Sequence, residues 1–104
     1  MNDEMAQRAV ACKHWRWMPG MLAMDTGLRL DEMTDCWESE LPDLDDPATL
    51  GCLLALVREA YDDEHAHVRA AAGGWDFYTL DPMAPLVIAP TEAQCLVAAL
   101  EAAP

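Results

Sequence analysis

Residues 45–61 read DDPATLGCLLALVREAY and predict a helix, the clearest element in the chain. The apolar side chains of this stretch recur at helical spacing on one face; they are Leu50, Leu53, Leu54, Val57 and Tyr61. Asp45 or Asp46 can cap the first turn, and Pro47 suits the first helical position. Both carboxylates would also lie at the positive end of the helix dipole, where negative charge is favourable. We therefore expect a helix from Pro47 to about Tyr61.

After this helix the pattern changes to short strands. Three segments carry strand-forming residues between turn signals; they are residues 66–71, 75–80 and 86–89. Gly73 and Gly74 make a natural hairpin turn between the first two segments. Pro82 and Pro85 break the chain before the third segment. The sequence therefore predicts a hairpin followed by one further strand.

Two more helices are expected, one on either side of these elements. Thr91 is followed three residues later by Gln94, which is the pattern of a capping box at a helix start. Leu96, Val97 and Leu100 give this helix its apolar face. Residues 3–14 also repeat small apolar side chains at helical spacing and predict the first helix.

A second hairpin is expected within residues 15–30. Trp15 and Trp17 alternate with Arg16, as in a half-buried strand, and a Pro-Gly pair then interrupts the run. The sequence Asp-Thr-Gly at residues 25–27 is typical of a turn. The expected order is therefore α-β-β-α-β-β-α, with a third strand in the second β group. This order favours an α+β fold in which three helices pack on a small, mainly antiparallel sheet as a layered sandwich.

The length and composition indicate one domain spanning residues 1–104. The chain is 53% hydrophobic and 24% charged, which is typical of a globular protein with a hydrophobic core. No apolar run approaches the roughly 20 residues that a membrane-spanning helix needs, and the first ten residues do not resemble a secretory signal. We expect a cytoplasmic protein whose four cysteines are reduced thiols.

Acidic residues dominate the charge of the chain. Nineteen Asp and Glu face six Lys and Arg, giving a formal net charge of −13. Such a surface repels nucleic acid and anionic membranes and attracts basic partners. Residues 31–46 hold eight of the acids and no Lys or Arg, and we interpret them as a long loop. The expected protein-binding residues are Asp31, Glu32, Asp35, Trp37, Glu38, Glu40 and Asp43, with Trp37 as the aromatic anchor.

This acidic stretch is too sparse to imitate DNA. Eight charges over sixteen extended residues give roughly one charge per 6–7 Å, at about 3.3 Å per residue. One DNA strand carries a phosphate about every 3.4 Å, so the stretch has about half that density. Asp62, Asp63 and Glu64 would add to it only if the fold placed them alongside.

A second candidate site combines aromatic and basic side chains. Trp15 and Trp17 could form a stacking wall, and Arg16 and Arg29 could meet across the expected hairpin. Arginine is well suited to binding phosphate through two parallel hydrogen bonds. These four residues are therefore the alternative ligand-binding site, with a small anionic nucleotide as the ligand. The alternative interpretation of the tryptophans is purely structural, namely that they fill the core.

Catalytic and metal chemistry is not expected. Cys12, His14, His65 and His67 are the one group of residues suited to zinc, but their spacing matches no standard zinc pattern. The single serine, Ser39, lies among acids and is poorly placed to act as a nucleophile. The sequence contains no glycine-rich phosphate-binding loop. We therefore predict a protein without enzymatic activity, metal or cofactor.

Three segments resemble a known family. Residues 12–21 (CKHWRWMPGM), 41–61 (LPDLDDPATLGCLLALVREAY) and 91–104 (TEAQCLVAALEAAP) are similar to blocks found in small proteins of tailed phages and prophages. The chain as a whole resembles the phage α-β-α sandwich domain family. This resemblance implies a phage gene product with a sandwich fold, and it carries no catalytic residue.

These observations lead to a functional hypothesis. The resemblance and the charge together predict a non-enzymatic, phage-encoded binding protein acting in the infected cell. Its expected role is counter-defence, in which the acidic surface occludes a basic host protein such as a nucleic-acid-binding nuclease complex of the CRISPR type. One alternative is a protein that sequesters a small anionic immune-signalling nucleotide, and another is a virion accessory protein. We expect no direct contact with nucleic acid or membrane, and homo-oligomerisation through the sheet edges is left open.

Overall fold

The computed structural model describes residues 3–24, 27–29, 41–79 and 86–104. It contains three helices and three strands, which are α1 (Asp3–Ala11), α2 (Pro47–Tyr61), β1 (His67–Ala71), β2 (Gly74–Tyr78), β3 (Val87–Ala89) and α3 (Glu92–Ala102). The strands form one antiparallel sheet in the order β1-β2-β3. The expected α+β fold is confirmed. Among the described residues, every helix is too short or too polar to cross a bilayer.

The two expected helix starts are confirmed in atomic detail. Asp46 caps α2, because its carboxylate accepts the backbone N–H of Thr49 at 2.9 Å, and Pro47 occupies the first turn. Thr91 caps α3 by accepting the backbone N–H of Gln94 at 3.1 Å. The Thr91 hydroxyl also donates to Gln94 Oε1 at 3.2 Å, so the two side chains contact each other, although this is not the bond to the Thr91 backbone N–H that defines a capping box.

Helix α3 lies at the centre of the molecule. It packs against both other helices and against all three strands. Its buried residues are Cys95, Leu96, Val97, Ala99 and Leu100. The face of the sheet that packs toward this core carries Val68, Phe77 and Val87, which occupy paired positions across the three strands. The core therefore lies between the sheet and the two outer helices.

The expected hairpin at residues 15–30 is the main difference from the sequence analysis. Residues 15–18 form no strand, and the segment that follows makes two isolated antiparallel bridges, Leu22 with Arg29 and Ala23 with Pro42. Two backbone hydrogen bonds support them, from Ala23 to Leu28 at 2.9 Å and from Met24 to Leu41 at 2.8 Å. This bridged segment is separate from the β1-β2-β3 sheet. A third hydrogen bond, from the Asp43 N–H to the Leu22 carbonyl at 2.8 Å, completes the bridge at Pro42, which therefore needs no N–H of its own.

A glycine turn explains why the tryptophan segment does not continue into a strand. Gly20 has φ +105°, a left-handed conformation that disfavours residues with a Cβ. A Cβ at this position would also approach the Cys52 sulfur to 3.4 Å. The chain therefore turns sharply at Gly20 while lying directly on α2.

Candidate functional site

Of the seven residues expected to bind a protein partner, Asp43 lies within the part of the chain that the structure describes. The other six, Asp31, Glu32, Asp35, Trp37, Glu38 and Glu40, lie outside the described residues. The Asp43 carboxylate accepts the backbone N–H of Asp45 at 3.0 Å, and the backbone N–H of Asp43 donates to the Leu22 carbonyl at 2.8 Å. Asp43 therefore helps to shape the turn that leads into α2, in addition to contributing charge.

The structure does not bring the two arginines of the alternative ligand site together. Arg16 donates two hydrogen bonds to Glu59, at 2.7 and 2.8 Å. Arg29 donates two to Asp46, at 2.9 and 3.0 Å. Asp46 caps the first turn of α2 and Glu59 lies thirteen residues further on, about 20 Å along the helix axis. The expectation that the guanidinium groups meet is therefore wrong.

The physical reason is competition from carboxylates within the chain. Bidentate pairing between a guanidinium and a carboxylate is geometrically specific. Arg16 pairs in this way with Glu59 on α2, and Arg29 pairs with Asp46, the residue that caps α2. The hydrogen bonds raise the pKa of Arg16 and lower the pKa of Glu59. An anionic ligand would have to displace a carboxylate from either arginine.

The two tryptophans of that site contact each other. The rings of Trp15 and Trp17 are edge to face, with centroids 5.6 Å apart. Both side chains are half-buried and pack against the core. This arrangement agrees with the interpretation that the tryptophans fill the core, and their alternation with Arg16 is retained without a strand.

An open groove of about 640 Å³ lies at the C-terminal end of α2. It is lined by Ala55, Arg58, Glu59, Asp62, Asp63, Glu64 and His65. We call Asp62, Asp63 and Glu64 the acidic turn, since they follow the last residue of α2 directly. Their negative charge is added at the helix end that already carries the negative pole of the dipole.

The local conformation at this groove is set by the end of α2. Asp62 adopts φ 52°, the left-handed conformation, and its N–H contacts the carbonyls of Arg58 and Glu59. The side chain of Arg58 is directed to the backbone, where Nε donates to the Ala66 carbonyl at 2.7 Å. Among the described residues, the carboxylates of Asp62 and Glu64 form no ion pair with Lys or Arg. The groove is lined by four acidic side chains and one arginine, so its lining is negatively charged overall.

The acidic turn and Asp43 lie at opposite ends of α2. The helix has fifteen residues, which corresponds to a length of about 22 Å. Asp62, Asp63 and Glu64 consequently do not lie alongside Asp43. The acidic turn is therefore separate from Asp43, and the groove at the acidic turn was not identified from the sequence.

The outward face of the sheet carries a polar cluster that the sequence analysis also missed. Arg69 donates to the Tyr78 hydroxyl at 2.8 Å and lies 4.6 Å from the centre of its ring. The Tyr78 hydroxyl donates to Asp76 at 3.2 Å, and His67 stacks on Tyr78. Ile88 on the same face is 72% exposed. The strict alternation of inward and outward residues in β1 and β2 was the available signal.

The cysteines and histidines that the structure describes are not gathered at one place. Burial raises the pKa of Cys12, Cys52 and Cys95, and that of Cys95 reaches about 11. His14 lies 2.6 Å from the Pro104 carbonyl oxygen, while His67 lies 2.9 Å from the carbonyl of His65. Within residues 3–24, 27–29, 41–79 and 86–104, no group of three or more His, Cys, Asp or Glu is arranged to hold a metal ion.

Comparisons of the chain with protein-family models, with curated proteins and with solved structures gave no match. The resemblance to the phage α-β-α sandwich family therefore stays a prediction based on its three sequence blocks.

Proposed function

We propose that this chain is a non-enzymatic binding protein that docks on a basic partner protein through its acidic surfaces. The observation that carries the proposal is the distribution of the arginines. Arg8, Arg16 and Arg29 are each paired with a carboxylate of the same chain. The groove at the acidic turn is lined by four acidic side chains and one arginine, in a chain whose net charge is −13.

Complementary charge is a physical basis for such recognition. A concentrated negative surface accelerates encounter with a positive one and repels nucleic acid, which would compete for the same basic groove. The groove at the acidic turn also offers a concave surface in which Lys or Arg side chains of a partner can be enclosed. Following the sequence resemblance, the partner is a basic host protein, such as a nuclease complex of the CRISPR type, and binding takes place in the cytoplasm of the infected cell.

The nucleotide-sequestering alternative has less support. It depended on Arg16 and Arg29 forming one basic pocket, and these two side chains are bound to carboxylates at opposite ends of α2. The alternative that the chain is a virion accessory protein predicts that it copurifies with phage particles, and it does not depend on a particular binding site.

The proposal is tested by affinity capture from infected cells, followed by mass spectrometry of both proteins and small molecules. A basic protein should be captured at low salt and lost at high salt, because screening weakens interactions between exposed charges. The released protein is then purified and its affinity for the wild-type chain measured directly.

Matched charge variants separate specific docking from general attraction. Glu64→Lys and Glu4→Lys each change the net charge from −13 to −11, and both positions are exposed. Glu64→Lys should weaken binding of the purified partner, while Glu4→Lys on α1 should have little effect. The triple change Glu38→Lys, Glu40→Lys and Asp43→Lys tests the acidic stretch of residues 31–46. If none of these variants alters binding, or if a nucleotide is the captured species, the proposal fails.

A further inference from the structure

The sheet ends in two edge strands of different character. Within the described residues, β1 and β3 each pair with β2 on one side and with no strand on the other. β3 has three residues and is followed directly by Pro90. Natural proteins protect sheet edges by keeping edge strands short and by placing proline there. β1 has five residues, contains no proline and exposes a longer row of backbone groups.

The edge of β1 opposite β2, which pairs with no strand among the described residues, begins directly after the acidic turn. Glu64 precedes the first residue of β1, His67, by three positions. The intervening backbone is held in place, since the Ala66 N–H donates to the Asp63 carbonyl at 3.2 Å and the Ala66 carbonyl accepts from Arg58 at 2.7 Å. A chain segment lying along β1 would therefore meet negative charge at one defined end.

Four of the five residues of β1 are exposed. Ala70 and Ala71 are small and exposed, and the one basic residue of the strand, Arg69, leans over the Tyr78 ring of the neighbouring strand β2. The cation is thereby directed away from the free edge.

From the open edge and the adjoining charge we infer that β1 accepts an extended segment of the basic partner as a fourth strand, with its Lys or Arg residues beside the acidic turn. This inference rests on the proposed function and deepens it. Backbone hydrogen bonds along an added strand provide affinity with little dependence on sequence, while the charge at one end selects the partner and its direction. A five-residue strand spans about 17 Å, so a short linear segment suffices.

The test varies synthetic peptides rather than the protein, so that β1 itself carries no substitution that could disturb the fold. The parent peptide has five alternating Val and Thr residues with two Lys at one end, and a second peptide carries the two Lys at the other end. The better binder is then prepared in two N-methylated forms, one methylated at odd and one at even backbone positions of the strand. Affinity is measured by calorimetry at low salt, and hydrogen exchange of the β1 amides by NMR.

Strand addition predicts a specific pattern of results. The hydrogen bonds of an edge strand point alternately toward and away from its neighbour, so one N-methylated form should bind like the parent. The other form should lose affinity about tenfold or more, since it cannot make the hydrogen bonds that face β1. Alternate amides of β1 should exchange more slowly when the parent is bound. Glu64→Lys should weaken binding of the parent, and Glu4→Lys should not.

Equal binding of the two N-methylated forms would overturn the inference, because attraction between charges alone does not depend on which backbone amides are blocked. The inference would also be overturned if hydrogen exchange of the β1 amides did not change, or if neither of the two unmethylated peptides bound. Salt-sensitive capture of a basic host protein is measured separately, so the strand can be refuted while the proposed function stands.

Discussion

Arg29 binds the carboxylate of Asp46, the residue that caps α2, through two hydrogen bonds of 2.9 and 3.0 Å. The same carboxylate accepts the backbone N–H and the hydroxyl of Thr49, each at 2.9 Å. The Thr49 hydroxyl in turn accepts the N–H of Leu22. One carboxylate therefore joins the start of α2 to the bridged segment before it, and several properties of the molecule follow from this connection.

Replacement of Asp46 should destabilise the protein more than replacement of its neighbour. Asp46→Ala removes the helix cap, which typically costs about 1 kcal/mol, and also the acceptor of the Arg29 hydrogen bonds. Asp45→Ala, which leaves the cap in place, should have a smaller effect. Urea denaturation at neutral pH measures both free energies of unfolding. Equal losses would mean that either aspartate can cap α2, as the sequence alone allowed.

The Asp46 carboxylate should also make stability depend on pH. The hydrogen bonds from Arg29, together with those from Thr49, hold the pKa of Asp46 well below its usual value. A group whose pKa is lower in the folded state contributes stability above its unfolded pKa, near 4, and this contribution is lost as the pH falls through the folded value. Stability should therefore decline below about pH 4.

The variant Asp46→Asn isolates this contribution. Asparagine is a good helix cap but does not bind a proton in this range, so the variant should lose less stability than the wild type between pH 5 and pH 2. Glu59 and Glu101 also have lowered pKa values and titrate equally in both proteins. The measurement is the free energy of unfolding in urea at a series of pH values. Parallel curves would contradict the role assigned to Asp46.

The described thiols should differ in reactivity according to burial. The thiolate is the reactive form, and burial raises the pKa of Cys95 to about 11. Alkylation at pH 8 should therefore modify Cys95 more slowly than Cys12 or Cys52, which are half-buried. Mass spectrometry of timed samples identifies the order, and the same experiment in denaturant should abolish the difference. Early modification of native Cys95 would contradict its position in the core.

Local sequence signals predicted the elements that are determined locally. The caps at Asp46 and Thr91, with the apolar faces that follow them, predicted the starts of α2 and α3. The Gly-Gly pair at residues 73 and 74 predicted the β1–β2 hairpin, in which Gly73 has φ +85°. Alternation alone was misleading in residues 15–30, because Trp15 and Trp17 can share one side of an extended chain that pairs with no strand.

The site depended on contacts between distant residues, which the sequence pattern does not contain. Arg16 is 43 residues from Glu59, and the pairing of Arg29 with Asp46 spans 17 residues. No local pattern identifies these partners among nineteen acids. The acidic turn was visible in the sequence, but its separation from Asp43 is a consequence of the length of α2.

The central position of α3 leads to a further prediction about stability. Leu54 on α2 and Leu96 on α3 were both predicted to lie on apolar helix faces, yet Leu96 is fully buried and Leu54 only partly. Leu96→Ala should therefore cost about 2–5 kcal/mol, the usual range for a leucine truncated inside a core. Leu54→Ala should cost markedly less, because part of its surface is already in water and solvent can fill the space left behind. Urea denaturation of the two variants, which undergo the same chemical change, compares the positions directly. Equal losses would contradict the packing of α3 between the sheet and the other helices.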